Sequence, residues 1–420
     1  MTATALSDAT TTARPAGVAS TPPTTTALYT DHYELTALEA ALQSGVAQYP
    51  SVFEVFARSL PAGRRYGVVA GTARALEAIE AFRFDDATLA WLHGQHILAD
   101  TTLDWLADYR FSGNVDGYRE GELYFPNSPI LTVEASFGEA VVLETVLLSI
   151  LNHDSAIASA GTRMVDAAGG RRLIEGGGRR AHESAAVDCA RAAYLAGFDV
   201  TSNLEAGRRW AIPTGGTTMH AFTLAHRSER EAFDAQVATF GPDTTFLVDT
   251  YDTTDGIANA VAACAAVGGT PRSIRIDSGD LADEARRARA QLDGLGATAT
   301  KIVVSGDLDE HSIAAMHDAP VDAYLVGTRL VTGSGAPTAA MVYKLVAIAG
   351  GGPVMRPVAK RSASKSSAGG RKYATRLIDN DGHAYEEHVV ARHVAPRPGG
   401  DRPWFGSADR GRCAVGDAAG

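Results

Sequence analysis

Cysteine is scarce. Cys189, Cys264 and Cys413 are the only three in 420 residues, and no two of them stand in a CxxC spacing. That excludes a disulfide framework and a CxxC metal site, and it points to a reducing compartment, the cytoplasm. Long apolar runs are missing too: no stretch of about 18 uninterrupted apolar residues occurs, so no membrane-spanning helix and no membrane partner are expected. Positive charge is in deficit, with 38 Lys and Arg against 49 Asp and Glu and a net charge of −11. Such a balance argues against a dedicated nucleic-acid binder. It leaves phosphorylated small molecules open, because local arginines build those sites whatever the net charge. Residues 1 to 26 have almost no charge or large apolar groups and read as a disordered tail; Arg14 is their only basic residue, which does not suit a transit peptide.

What is present describes an α/β protein. Hydrophobic residues make up 45%, charged residues 21%, and there are 43 glycines, in a chain long enough for a large core and two domains. Ordered structure is expected from Ala27, with a helix through Leu35, Leu38, Ala41 and Leu42 capped by Thr30 or Asp31. A strand over 51–60 follows, whose alternation would aim Arg58 inward. Residues 68 to 110 look helical, 122 to 137 read as two short strands broken at Pro126 and Pro129, and a long apolar helix starts at Phe137. After Lys344 the basic stretch 355–376, with Lys360, Arg361, Lys365, Arg371 and Lys372, is either a functional loop or a mobile solvated one. Short strands should lie within 373–394, and the tail after Pro396 should fray.

The clearest periodicity lies between these regions. TFLVD ends at Asp249, SIRID at Asp277, KIVVSGD at Asp307 and AYLVGT at Gly327 and Thr328, and a helical pattern follows each of the first three. Short β-branched runs without alternation suit a parallel sheet covered on both faces, and their spacing is close to the roughly 25–30 residues of a βα unit. In barrels built this way the strand C-terminal ends form the active site. A lone Asp after a strand is usually a helix cap; three in consecutive units are harder to assign to capping alone. Ahead of them runs Ile212 to His226, IPTGGTTMHAFTLAH, a turn of Pro213, Thr214, Gly215, Gly216, Thr217 and Thr218 leading to His220. By itself this is a tight turn before a half-buried histidine. In this company it can bring backbone N–H groups to an anion and place a nucleophilic imidazole behind them.

Eight segments taken in order are similar to one family, nicotinate phosphoribosyltransferase: LYTDHYELT (28–36), FEVFARSLPAGRRYGVVAG (53–71), GGRRAHESAA (177–186), AGFDVTSNLEAG (196–207), GTTMHAF (216–222), IRIDSGDL (274–281), KIVVSGDLDE (301–310) and VGTRLVTGSGAPTAAMVYKLV (326–346). The resemblance covers roughly Leu28 to Val390. It implies an irregular (β/α) barrel over 141–345 and an α/β sandwich domain built from 27–140 and 346–420. The activity it implies joins nicotinate to phosphoribosyl pyrophosphate, giving nicotinate mononucleotide and pyrophosphate, coupled to ATP hydrolysis, as the first step of NAD salvage from nicotinate.

Residue by residue, the resemblance makes His220 the histidine phosphorylated from ATP. Arg179 and Arg275 hold the pyridine ring and the phosphates, and Asp277, in an RxD arrangement with Arg275, contacts the ribose and the phosphohistidine region. Thr217 and Ser278 join them as substrate contacts, while Gly306 with Asp307 and Gly327 with Thr328 take ribose hydroxyls and the 5′-phosphate. Tyr33 stacks on the pyridine from the neighbouring subunit, implying a homodimer with shared active sites, and Arg58 reaches the phosphates. Magnesium is carried mainly by the pyrophosphate, with no metal-ligand set of the protein's own. Asn203 stands where nicotinamide-using relatives place an Asp; losing that charge favours a carboxylate substrate. A quinolinate enzyme would lack the phosphorylated histidine. A catalytically dead relative would not keep Arg179, His220, Arg275, Asp277 and Asp307, and an aldolase-type barrel needs a lysine at a strand end, whereas Lys301 begins its strand. One departure stands out: the run Glu175, Gly176, Gly177, Gly178 holds glycine where the family carries a large apolar residue, so one face of the base pocket is expected to be loosely packed.

Overall fold

A computed structural model describes residues 25–350, 354–362, 367–382 and 384–391, with the backbone of Cys413 and Ala414. The tail expected over 1–26 lies outside the described residues except for its last two. Thr25 and Thr26 are tied down: Thr26 donates its hydroxyl to Ala78 O at 2.6 Å and its amide to Ala81 O at 3.2 Å. The frayed tail expected after Pro396 lies outside the described residues apart from Cys413–Ala414, which pair with Val115 and Asn114.

Six parallel strands form one sheet in the order Val200–Thr201, Arg172–Glu175, Ala323–Val326, Lys301–Ser305, Ser273–Ile276, Thr245–Leu247. Among the described residues no pairing joins its two outer strands, so the sheet curls into a half-barrel without closing. Four of the strands are those marked by the aspartates and Gly327. Arg172–Glu175, RLIE, has a charge at each end instead of a β-branched run, and Val200–Thr201 is only two residues long. Helices outside the sheet begin on aspartate caps, and these are other aspartates: Asp252 accepts from Asp255 N, Asp280 from Asp283 N, and Asp309 from Ser312 N. Asp249, Asp277 and Asp307 are thereby left at the strand ends without capping duty.

The second six-stranded sheet is antiparallel and draws on both ends of the chain. Its order is Met355–Pro357, Met341–Ala349, Pro50–Ala57, Leu131–Ser136, Asn114–Gly117, Cys413–Ala414. Pro50–Ala57 is central and buried from Ser51 onward, so alternation does not govern it. Arg58 is half-buried just beyond its end, with Nε enclosed and unbonded among the described residues. The stretch 68–110 contains three helices, Thr72–Glu80, Asp86–Gln95 and Asp100–Ala107, and the strands Leu123–Tyr124 and Leu131–Ser136 flank the two prolines.

Part of the basic stretch 355–376 is neither loop nor solvated. Arg371 pairs with Glu134 and Asp116, and Lys372 donates Nζ to the fully buried Glu54 at 2.6 Å. Lys372–Ile378 forms a hairpin with Ala384–Ala391. Its positive charge neutralises carboxylates of the antiparallel sheet, while Lys360 and Arg361 are exposed and Lys365 lies outside the described residues.

The long helix is broken once: Phe137–Val141 starts on a Ser136/Glu139 capping box, and Glu144–Ala168 continues it. This second helix serves both cores. Val146, Leu147 and Leu151 pack with the antiparallel sheet, and Ile157, Ala158, Met164 and Ala168 with the half-barrel. Its Ser155 and Ser159 hydroxyls accept from Ala70 N at 3.1 Å and Val68 N at 2.8 Å, tying the helix to the segment that carries the short strand Gly67–Val68.

Candidate active site

A cavity of about 900 Å³ occupies the inside of the half-barrel. At the carboxyl ends of the strands it is lined by Gly176, Gly178, Arg179, Ser202, Thr214 to Met219, Arg275 and Asp277. At the opposite ends Arg172, Arg272, Lys301 and Asp322 line it, so the interior is open along its length. Ordinary closed barrels fill this space with layers of side chains; here the sheet does not close.

The strand ends are wired together. Arg275 donates Nη1 to Thr217 Oγ1 at 2.9 Å and its Nη2 lies 3.7 Å from Asp277 Oδ1. Asp277 accepts from the Ser305 hydroxyl, and its amide donates to Asp249 Oδ2 at 2.9 Å, which also takes the Ser278 hydroxyl at 2.7 Å. The other oxygen of Asp249 is buried without a hydrogen bond among the described residues and faces His220 Nε2 at 3.9 Å. His220 Nδ1 meets the Thr250 hydroxyl at 3.1 Å. One network thus runs from the Gly- and Thr-rich turn through Arg275, Asp277 and Asp249 to His220. Asp249 was visible in the sequence only as one strand-end aspartate, and Thr250 gave no signal at all.

Next along the rim, Gly306 has φ +121° and Asp307 φ +48°. The turn passes so close to the neighbouring strand end that a Cβ on Gly306 would lie 2.7 Å from Asp277 O; a non-glycine held at positive φ is the kind of strain that persists at functional sites. Gly327 sits beside the Gly176–Gly177 turn, 3.6 Å from Gly176 O to a would-be Cβ, and Thr328 opens the helix Thr328–Val331. Asn203 caps the helix Leu204–Trp210 by accepting from Ala206 N at 2.9 Å. Its Oδ1 is therefore engaged, and Nδ2 lies on the side of Gly178, 3.8 Å from a would-be Cβ there.

The expected loose face at Gly176 is not observed. A Cβ at Gly176 would lie 2.6 Å from Leu325 Cδ2, so Leu325, from the adjacent strand, occupies the space that a larger residue would take. Of the expected site residues, Arg179, Thr217, Arg275 and Asp277 line the cavity, whereas Asn203, His220, Ser278, Gly306, Asp307, Gly327, Thr328, Tyr33 and Arg58 do not; Tyr33 is 52% exposed on the helix His32–Ser44. His182 caps the helix Glu183–Ala196 through Ser184 N at 3.3 Å, and His226 Nδ1 meets Phe222 O at 2.8 Å. Both have local duties that His220 lacks.

A curled parallel sheet with charged and glycine-rich groups round the carboxyl ends of its strands is the architecture of the barrel-type phosphoribosyltransferases. Known proteins narrow the class. Residues 28–152 match the family model described as the nicotinate phosphoribosyltransferase N-terminal domain. Nicotinate phosphoribosyltransferase pncB1 of Mycobacterium tuberculosis is 59% identical over 88% of this chain and 82% of its own length; the Bacillus subtilis nicotinate phosphoribosyltransferase is 39% identical over 87% and 76%. The crystal structure of human nicotinic acid phosphoribosyltransferase superposes with a TM-score of 0.74 at 25% identity, covering 88% of this chain and 82% of the human one. The chain belongs to the nicotinate phosphoribosyltransferase family. No helix among the described residues is long and apolar enough to cross a membrane.

Proposed function

We propose that the protein forms nicotinate mononucleotide and pyrophosphate from nicotinate and phosphoribosyl pyrophosphate, coupled to ATP hydrolysis through a phosphohistidine at His220, as the first step of NAD salvage from nicotinate. The observation that carries this is the single network that joins Thr217, Arg275 and Asp277 on the cavity wall to Asp249 and His220.

The donor is densely anionic. Arg275 and Arg179 supply guanidinium forks to it and to the base carboxylate, and the turn Pro213–Thr218 supplies backbone N–H groups. Breaking the bond at C1 places positive charge on the ribose ring and negative charge on the departing pyrophosphate. Asp277 and Asp307 hold hydroxyls near the first, and the arginines stabilise the second. Asp277, on the cavity wall, suits a magnesium ion that arrives on the pyrophosphate. When bound, the ion neutralises charge on the leaving group.

At His220 one imidazole nitrogen attacks the γ-phosphorus of ATP and ADP departs. The ring is left cationic, and the free Asp249 oxygen stabilises it. Asn203 offers Nδ2 to the nicotinate carboxylate, its Oδ1 being committed to the helix cap. Exposed Tyr33 suits stacking on the pyridine of a neighbouring subunit in a homodimer with shared active sites, and Arg58 serves the phosphates there. Free, buried Cys189 and Cys264 suit a reducing cytoplasm.

Assays with nicotinate, nicotinamide and quinolinate, each with and without ATP, test the substrate. Nicotinate is expected to give the highest kcat/KM, and a preference for either other base would overturn the proposal. For the coupling, γ-labelled ATP should leave an acid-labile, base-stable label on His220. His220→Ala should lose ATP hydrolysis and ATP stimulation while keeping a slow transfer; label on another histidine would refute the assignment.

A further inference from the structure

Between the Arg179 turn and the Asn203 cap lies a carboxylate for which the proposed reaction has no direct use. Glu175 ends the strand Arg172–Glu175 and is 1% exposed. Both of its side-chain hydrogen bonds come from neutral donors: Gly177 N–H to Oε1 at 2.5 Å, and the Thr201 hydroxyl to Oε2 at 2.5 Å. Burial raises its carboxyl above the ordinary value, and these two bonds act against that rise. A buried carboxylate without a counter-charge is costly, and an apolar residue would fill the site at less expense to the fold.

What the carboxylate gains is geometry. The Thr201 hydroxyl that donates to Glu175 also accepts from Asn203 N at 3.0 Å, and Ser202 N donates to the Glu175 carbonyl at 2.8 Å. On the other side Gly177 is held so close to Val331 and to Glu175 Oε1 that a side chain there would clash. One buried group therefore fixes the start of the Arg179 turn and the start of the Asn203 cap, the two elements assigned above to the base.

We propose that Glu175, acting through Thr201, is a positioning residue of the base pocket that sets the spacing of Arg179 and Asn203 for a pyridine carboxylate. This rests on the nicotinate function proposed above. Glu175→Gln keeps the volume and can still accept from Gly177 N–H, but it presents an NH₂ group to the Thr201 hydroxyl and reverses that bond. Thr201→Val removes the hydroxyl.

Steady-state kinetics with each substrate varied separately, together with thermal melts, test it. Both variants should raise KM for nicotinate about tenfold while leaving KM for phosphoribosyl pyrophosphate within about twofold of wild type. The double variant should cost little more than either single one. A drop in melting temperature with no split between the two KM values would show a merely structural role and overturn the inference, as would additive effects. Should Glu175→Gln fail to fold, Thr201→Val alone decides by the same split. If the wild-type protein does not turn over nicotinate, the function proposed above has failed and this inference falls with it; normal wild-type turnover with unmoved KM values refutes the inference alone.

Discussion

Asp249 commits one oxygen to the Asp277 amide and the Ser278 hydroxyl and turns the other toward His220. Asparagine in its place would keep a similar shape and lose the charge that, in the proposed mechanism, balances a phosphorylated, cationic ring. Asp249→Asn is therefore expected to lower ATP hydrolysis about 10²-fold, with the slow ATP-independent transfer nearly unchanged; phosphate release against nucleotide formation measures both. A different residue carries a pH signature. Burial pushes the Glu122 carboxyl from 4.5 up to about 7, against the pull of the Arg119 amide and the nearby Arg119 and Arg376 charges. Below the lower value it is neutral in both folded and unfolded chains. Above the upper one it is charged in both, and the folded chain bears the full penalty. Glu122→Gln should thus stabilise the protein by roughly 1–2 kcal/mol at alkaline pH, discounting for partial exposure, and by nothing at acid pH. Urea melts at the two extremes check the sign. At this scale the sequence singled out His220, Arg275 and Asp277, whose motifs carry distinctive spacing and which the fold joins in one network through Asp249. The contacts of Asp249 and Thr250 with His220 stayed hidden, since a strand-end Asp-Thr looks the same whether it caps a helix or faces an imidazole.

Helix starts and strand ends are separated by only a few residues here, and the division of labour between them is physical. Asp252, Asp280 and Asp309 satisfy the first N–H groups of their helices, which frees the earlier aspartates for the rim. Close packing supports the same arrangement: a Cβ on Gly256, in the helix Thr253–Ala265, would collide with the Val248 carbonyl. Gly256→Ala should therefore cost about 1–3 kcal/mol and, by shifting the strand that leads to Asp249, lower ATP turnover as well; chemical denaturation and phosphate release would show both. Four strands of the half-barrel were legible as β-branched runs. Arg172–Glu175 and Val200–Thr201 were not, because the first has a charge at each end and the second is two residues long, so pairing with neighbours rather than local pattern makes them strands. The same limit applies to Arg371 and Lys372. Their charge read as that of a functional or a mobile solvated loop because the partners Glu134, Asp116 and Glu54 lie far away in sequence.

At the level of the whole molecule, the half-barrel and the antiparallel sheet share one long helix, and Tyr33 is exposed, as the proposed stacking on a neighbouring subunit's pyridine requires. Sedimentation is expected to show an even oligomer, and Tyr33→Ala should raise KM for nicotinate more than for phosphoribosyl pyrophosphate; a fully active monomer would contradict this. The buried Lys372–Glu54 pair joins the C-terminal hairpin to the first strand. Removing only the lysine, as in Lys372→Met, leaves an unpaired buried carboxylate and should cost about 3–5 kcal/mol, measured by denaturant titration. That first strand also imposes an order in time. Ser51 finds its partner Ile348 only after nearly all of the chain has left the ribosome. Until then Pro50–Ala57 has a bare apolar edge available to any other strand. High contact order should make refolding slow, and fragments that stop short of Met341 should aggregate through that edge.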